Sequence, residues 1–250
     1  MASAQQIEEF ALNAWPGLQT VFIDGWVARL SQGYSKRANS VVPLYPGQGE
    51  LDDKIRYCEH LYQQAGIGLI FRLPSFAAAN HALDARLDSR GFPVLDETCV
   101  QQVDLSQIRP VWSPQAVLAP DDEADDWIHG YHALSGSPPH PAHRQIVSLI
   151  SGQRCFLSIV HEGAVAARGL GVLSHRVLGL FDIVTDPAQR RLGFGRALTE
   201  SLLAWGRDQG ATHAYLQVVA ANTAARRLYT QLGFQDLYRY WYRVAPVPPA

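Results

Sequence analysis

Cysteine is scarce, with 3 residues in a chain of 250. Cys58, Cys99 and Cys155 lie far apart, which excludes a disulfide framework and the paired spacing of a zinc site. They read as small core residues, and none has an adjacent histidine to make it a nucleophile. No metal is expected. Long apolar runs are also missing. Nothing approaches the roughly eighteen residues of a membrane span, and the first six residues lack the basic start of a secretory leader. A soluble cytoplasmic protein without a membrane partner is expected. Nor does one charge sign dominate: Lys+Arg is 21 against Asp+Glu 23, a formal net charge of -2. That balance leaves no basic footprint for nucleic acid. The length suffices for a sizeable core and suggests roughly one or two domains.

What the chain does contain is concentrated near its C-terminal end. An apolar run, 177–184, leads into Thr185-Asp186-Pro187-Ala188-Gln189-Arg190-Arg191-Leu192-Gly193-Phe194-Gly195-Arg196 and then a helical pattern. Pro187 stops the strand because it cannot donate to a ladder. The glycines allow a sharp turn, and the unpaired N–H groups of the following helix start face one point, where the macrodipole favours an anion. The place suits a pyrophosphate. A Walker loop would close with Gly-Lys-Ser/Thr, and a dinucleotide fingerprint would want a third Gly or Ala where Leu198 stands. What remains is Arg-x-x-Gly-x-Gly, at Arg190, Gly193 and Gly195.

With this motif the chain resembles the GCN5-related N-acetyltransferases, in which that loop holds the pyrophosphate of acetyl-CoA. The segment from Asn222 through Tyr229 to Gly233-Phe234 resembles the family's second signature. The competing reading is an ordinary βαβ unit with a glycine-containing turn. The resemblance implies that Arg190, Arg191, Leu192, Gly193, Phe194, Gly195 and Arg196 form the coenzyme loop. It also implies that backbone groups of Ile183, Val184 and Thr185 bond the acetyl-pantetheine arm, with Asn222 holding the arm and Tyr229 meeting the sulfur as general acid. Tyr229 follows Asn222 by seven positions, so both project to nearly one helix face. The alternative for Tyr229 is a packing role on a core helix.

The general base is open. Asp182 interrupts the apolar run, and strict alternation puts it on the face of Leu180 and Val184, as base, acceptor contact or structural group. His129, His132, His140, His143, His161 and His175 are alternatives, though a histidine in a loop or on a helix is more often only solvated or hydrogen-bonded.

Laying Ala79-Asn80 over Ala221-Asn222 also lays Gly91-Phe92 over Gly233-Phe234. Two copies of one plan are therefore expected, residues 1–110 and 115–250, joined across 106–120 where Pro110, Pro114 and Pro120 interrupt regular structure. The first copy has Leu87 where the second has Tyr229, and Pro46-Gly47-Gln48-Gly49-Glu50 in place of the arginine-containing turn. It reads as a degenerate, non-catalytic relative. Its Tyr34-Ser35-Lys36-Arg37-Ala38-Asn39-Ser40 segment reads equally well as a wall of the acceptor cleft or as a solvated hairpin.

The expected class is α/β (α+β): two units of the resembled fold, each a mixed, mostly antiparallel sheet flanked by helices. The expected activity is transfer of acetyl from acetyl-CoA to the amine of a small molecule or amino acid, directly within a ternary complex, by a monomer or homodimer. A non-catalytic acyl-CoA-binding or sensing module and a protein N-acetyltransferase are the alternatives.

Overall fold

Ser3 opens the first helix, α1 (Ala4–Ala14), as a capping box: its hydroxyl accepts from Gln6 N while the Gln6 side chain accepts from Ser3 N. The computed structural model describes residues 2–246. After α1 come strands β1 (Gln19–Ile23), β2 (Trp26–Leu30) and β3 (Val41–Pro43), helix α2 (Leu51–Gln64), strand β4 (Ile70–Pro74), helix α3 (Ala79–Ser89) and strand β5 (Val94–Asp104). The second half runs β6 (Ala116–Ala119), α4 (Ala124–Ser135), α5 (Pro141–Ser148), β7 (Gln153–His161), β8 (Ala164–Ser174), β9 (Val177–Thr185), α6 (Phe194–Asp208), β10 (His213–Val219), α7 (Thr223–Gln231) and β11 (Gln235–Val244).

All these strands join one sheet, in the order β1-β2-β3-β4-β11-β5-β10-β9-β8-β7-β6. Only β3–β4 and β9–β10 are parallel. The last strands of the two halves lie side by side at the centre, and each pairs across: β5 with β10, β11 with β4. This exchange leaves neither half with a free edge at the join.

Helices cover both faces. Leu198, Leu202 and Leu203 of α6 and Tyr229 of α7 pack with β7–β10 in one core. Ile7 and Ala11 of α1, Trp127 of α4 and Ile146 of α5 pack on the opposite side. Helices α2 and α3 cover β2–β4. The three cysteines are buried thiols.

Two local features depart from the sequence reading. The proline-bounded linker does hold a regular element, because β6 fits between Pro114 and Pro120 as an edge strand on β7, where proline is tolerated. Strand β9 is not uniformly alternating either. Its register on β8 jumps from Arg168↔Val184 to Leu170↔Phe181, so Asp182 and Ile183 together oppose Gly169 in a bulge. A Cβ on Gly169 would press within 2.9 Å of Leu202 on α6, so the residue facing the bulge has no room for a side chain.

Candidate active site

Strands β9 and β10 pair only as far as Leu180↔Leu216 and then separate. The edge of β9 beyond that point, including Ile183, Val184 and Thr185, is unpaired on the β10 side. A cleft of about 430 Å³ occupies the opening, and its walls include Leu180, Asp182, Ile183, Gln217, Asn222 and Tyr229.

The glycine turn adjoins the far end of β9. Asp186 accepts from Ala188 N and starts a short 3₁₀ turn over Pro187–Gln189. Arg191 (φ 65°) and Gly193 (φ 89°) are both left-handed, and Gly193 caps α6. The first intrahelical donor is Ala197 N, bonded to Gly193 O, so the N–H groups of Phe194, Gly195 and Arg196 are the orphans of a helix start. Gly195 sits where a Cβ would lie 3.3 Å from Thr185 Oγ1 and 3.7 Å from Leu228, joining the turn tightly to β9 and α7. Arg190, Arg191 and Leu192 are exposed. The other two side chains are engaged elsewhere: Phe194 is buried against the His161 ring, and the Arg196 guanidinium bonds Gln231 and Glu200. Their contribution to an anion is through the main chain. This cradle of free amides and glycines fits a pyrophosphate.

Asn222 is the N-cap of α7, its Oδ1 accepting from Ala225 N at 3.1 Å, which leaves its amide N–H groups for the cleft. Tyr229 lines the same cleft one face down the helix. Burial alone pushes its phenol up to about 12, so it stays protonated through the neutral range.

The bulge re-aims Asp182. Its φ of 47° breaks the alternation expected from sequence, and the carboxylate turns to α5, where Asp182 Oδ2 lies 2.9 Å from His143 Nε2. His143 Nδ1 is 2.9 Å from His132 Nε2 on α4, and His132 Nδ1 is 3.0 Å from Ser137 Oγ. With both imidazoles neutral, one proton arrangement satisfies every contact: the Asp182 carboxylate accepts the His143 Nε2–H, His143 Nδ1 accepts from His132 Nε2–H, and Ser137 donates to His132 Nδ1. Burial, followed by the neighbouring His143, lowers the pKa of His132, in keeping with its neutral form in this chain.

Of the six histidines considered as bases, His132 and His143 join Asp182, and His140 stacks on Tyr34. His161 and His175 pack on Phe194 and Phe10, and His129 is exposed. The 34–40 segment of the first half is a cleft wall. Ser35, Lys36 and Arg37 line it, while Tyr34 stacks on His143 at 5.2 Å. Sequence reasoning missed Asp96, Thr98, Tyr131, Tyr240 and Tyr242, which also line the cleft. Four of the five come from the exchanged strands β5 and β11, and the Tyr238-x-Tyr240-x-Tyr242 alternation was the available signal.

The first half handles its own turn differently. There the amides of Gln48 and Gly49 donate to the Asp24 carboxylate, which also meets Lys54 Nζ at 3.1 Å. The turn is already filled by the chain's own carboxylate, that of Asp24.

Comparison with known proteins bears on the family and the fold. The family model described as "Probable histone acetyltransferase Rv0428c C-terminal" matches residues 2–243. The chain is 27% identical to "Uncharacterized N-acetyltransferase YobR" of Bacillus subtilis, over 98% of this chain and 99% of that one. It is 27% identical to "Probable histone acetyltransferase Rv0428c" of Mycobacterium tuberculosis, over 94% of this chain and 71% of that one. The fold matches the structure of a GCN5-related N-acetyltransferase from Kribbella flavida with a TM-score of 0.75, at 17% identity over 99% of this chain and 97% of the other. With a family match over nearly its whole length and the splayed strands in place, the chain belongs to the Rv0428c C-terminal family of GCN5-related N-acetyltransferases and is an acyltransferase.

Proposed function

We propose that this chain transfers acetyl from acetyl-CoA to the amine of a small molecule by direct attack within a ternary complex. The observation that carries the reading is the single cleft between β9 and β10, with Tyr229 and Asp182 both in its walls and the amide-rich turn at the end of β9. The turn's N–H groups and the exposed Arg190 and Arg191 hold the pyrophosphate, while Asn222 and the free edge of residues 183–185 hold the arm. Bound acetyl-CoA supplies an activated thioester.

The residues divide the remaining work. Backbone donors on the β9 edge stabilise charge on the carbonyl oxygen. Tyr229 Oη donates its proton to the departing sulfur. Asp182, held by His143, receives the acceptor's ammonium and takes its proton. No cysteine lines the cleft, which favours direct attack over an acyl-enzyme. Residues 1–110 act as a degenerate copy whose turn is occupied by Asp24 and whose 34–40 segment closes the acceptor side. That closure favours a small acceptor over an extended peptide.

Release of free thiol from acetyl-CoA, followed across a panel of amines, tests the reading. Saturable coenzyme binding without thiol release for any amine would instead identify an acyl-CoA-binding module.

A further inference from the structure

The acceptor end of the cleft holds two cations from the first half, and they differ in one respect. Lys36 Nζ is neutralised by Asp96 at 2.7 Å. Arg37 makes no hydrogen bond or ion pair among the described residues. Its guanidinium carbon instead lies 5.1 Å from the Trp15 ring and 5.7 Å from the Phe181 ring, which hold it by cation–π attraction while leaving its donor edge free. Phe181 immediately precedes Asp182, and both Arg37 and Asp182 line the cleft. The charges of both also reach the phenol of Tyr131, another wall residue.

The segment that carries Arg37 is built to stay in place. Buried Asn39 accepts from Ser31 N at 2.7 Å and Gly33 N at 3.0 Å, and donates to the carbonyls of Tyr34 and Ser35. Ser35, at φ 62°, is held in the left-handed region, which a serine adopts only when its surroundings impose it. A rigid loop thus presents five N–H donors in a planar fork to the cleft that Asp182 also lines.

We propose that Arg37 is a specificity-determining residue that binds an anionic group on the acceptor, and that the acceptor is a free amino acid, its ammonium at Asp182 and its carboxylate at Arg37. The inference rests on the function proposed above. A single free guanidinium matches a monoanion, since the Lys36 charge is already cancelled. A carboxylate therefore suits the site better than a phosphate dianion, and the flanking lysines of a basic peptide would meet the free Arg37 charge unfavourably.

The test is calorimetry on the full chain saturated with coenzyme A, titrated with free amino acids, with each one's amide, with phosphoethanolamine and with a lysine-rich peptide. At least one amino acid should bind about 10- to 100-fold more tightly than its amide, the range of a charge-assisted bidentate contact. Arg37→Gln should remove that preference while leaving the amide's affinity unchanged, and Arg37→Lys should restore part of it. The wild-type comparison of acid with amide needs no variant, so a misfolded variant does not shield the proposal. Equal affinity of acid and amide, tighter binding of phosphoethanolamine or the peptide, or no amino acid binding at all would each overturn it. Acetyl-CoA affinity and thiol release are measured separately. If both are normal while acceptor charge is ignored, the inference fails alone; if coenzyme does not bind, the proposed function fails.

Discussion

His143 Nε2 lies 2.9 Å from Asp182 Oδ2, with the histidine side chain fully buried and that of the aspartate 3% exposed. The imidazole orients this carboxylate, and His132 and Ser137 orient the imidazole. Because Asp182 sits on a bulge with left-handed backbone, its direction depends on that chain more than on the strand. His143→Ala is therefore expected to lower kcat/KM for the acceptor by about 10- to 100-fold, with the KM for acetyl-CoA unchanged. His143→Gln, which keeps a donor, should recover part of the loss. Steady-state kinetics on both variants decide it, and equal impairment of donor and acceptor KM would make the histidine only structural.

Tyr229 is assigned a proton to give, and burial that pushes its phenol from 10.0 up to about 12 keeps it there. Tyr229→Phe should lower kcat by about a hundredfold, the low end for a general acid, because a thiolate is a fair leaving group. Turnover at saturating substrates is the measurement, and an unchanged kcat would remove Tyr229 from the chemistry.

The same burial makes the fold sensitive to alkali. Tyr62, Tyr131 and Tyr215 are raised with Tyr229, and burial pushes the Cys58 and Cys155 thiols from 9.0 up to about 12. Each group holds its proton more tightly folded than unfolded. Their contribution is complete below about pH 9 and is lost as pH rises toward and through about 12. Thermal melts between pH 8 and 11 should show Tm falling steadily above pH 9. A flat profile would contradict burial of these groups.

The strand, turn and helix around the glycine turn were legible because Pro187, Gly193 and Gly195 act locally, each through its own backbone. Tyr229 and Asn222 were legible because helical spacing is regular. The chain from Asp182 to His132 was not, since a bulge cancels the alternation on which its placement depended and the two histidines come from other elements. The walls contributed by β5 and β11 were hidden for a different reason. Matching the ends of the two halves led to the expectation of one repeated plan, but nothing in the residues says that the last strands of the two halves pair across. Pro114 and Pro120 misled because a short edge strand fits between them without needing their missing donors.

One coenzyme per chain is expected, because among the described residues a carboxylate of the chain fills the turn of the first half and none fills that of the second. Calorimetry should give a stoichiometry of one, and Gly193→Glu should abolish binding. A Cβ at Gly193 meets nothing within 4 Å, so the effect should come from left-handed strain and from a carboxylate in an anion site, with the fold intact by circular dichroism. Unchanged affinity would contradict the assignment of the loop. In the first half, the amides of Gly49 and Gln48, then Lys54, hold the Asp24 carboxyl down to about 2. Its stabilisation is present above about pH 3.8 and is lost as pH falls through about 2, so the Tm difference between wild type and Asp24→Asn should shrink across that interval.

Beneath the cleft, Arg72 of β4 and Glu8 of α1 form an ion pair at 2.8 Å with side chains 1% and 0% exposed. Glu8 also accepts from the Tyr238 hydroxyl, and the Arg72 guanidinium lies 3.9 Å from the Tyr240 ring. Tyr240 donates in turn to Gln217, so this pair supports two residues of the cleft wall. Removing one partner leaves the other charge buried and uncompensated, so Arg72→Met or Glu8→Leu should cost about 3–5 kcal/mol. The double variant Glu8→Leu with Arg72→Met should be less destabilised than the sum of the singles, because the apolar pair strands no charge. Urea denaturation of the four proteins gives the coupling directly. Single variants costing under about 1 kcal/mol, the range of an exposed pair, would mean that water reaches these side chains and that the packing of Tyr240 above them is looser than the distances imply.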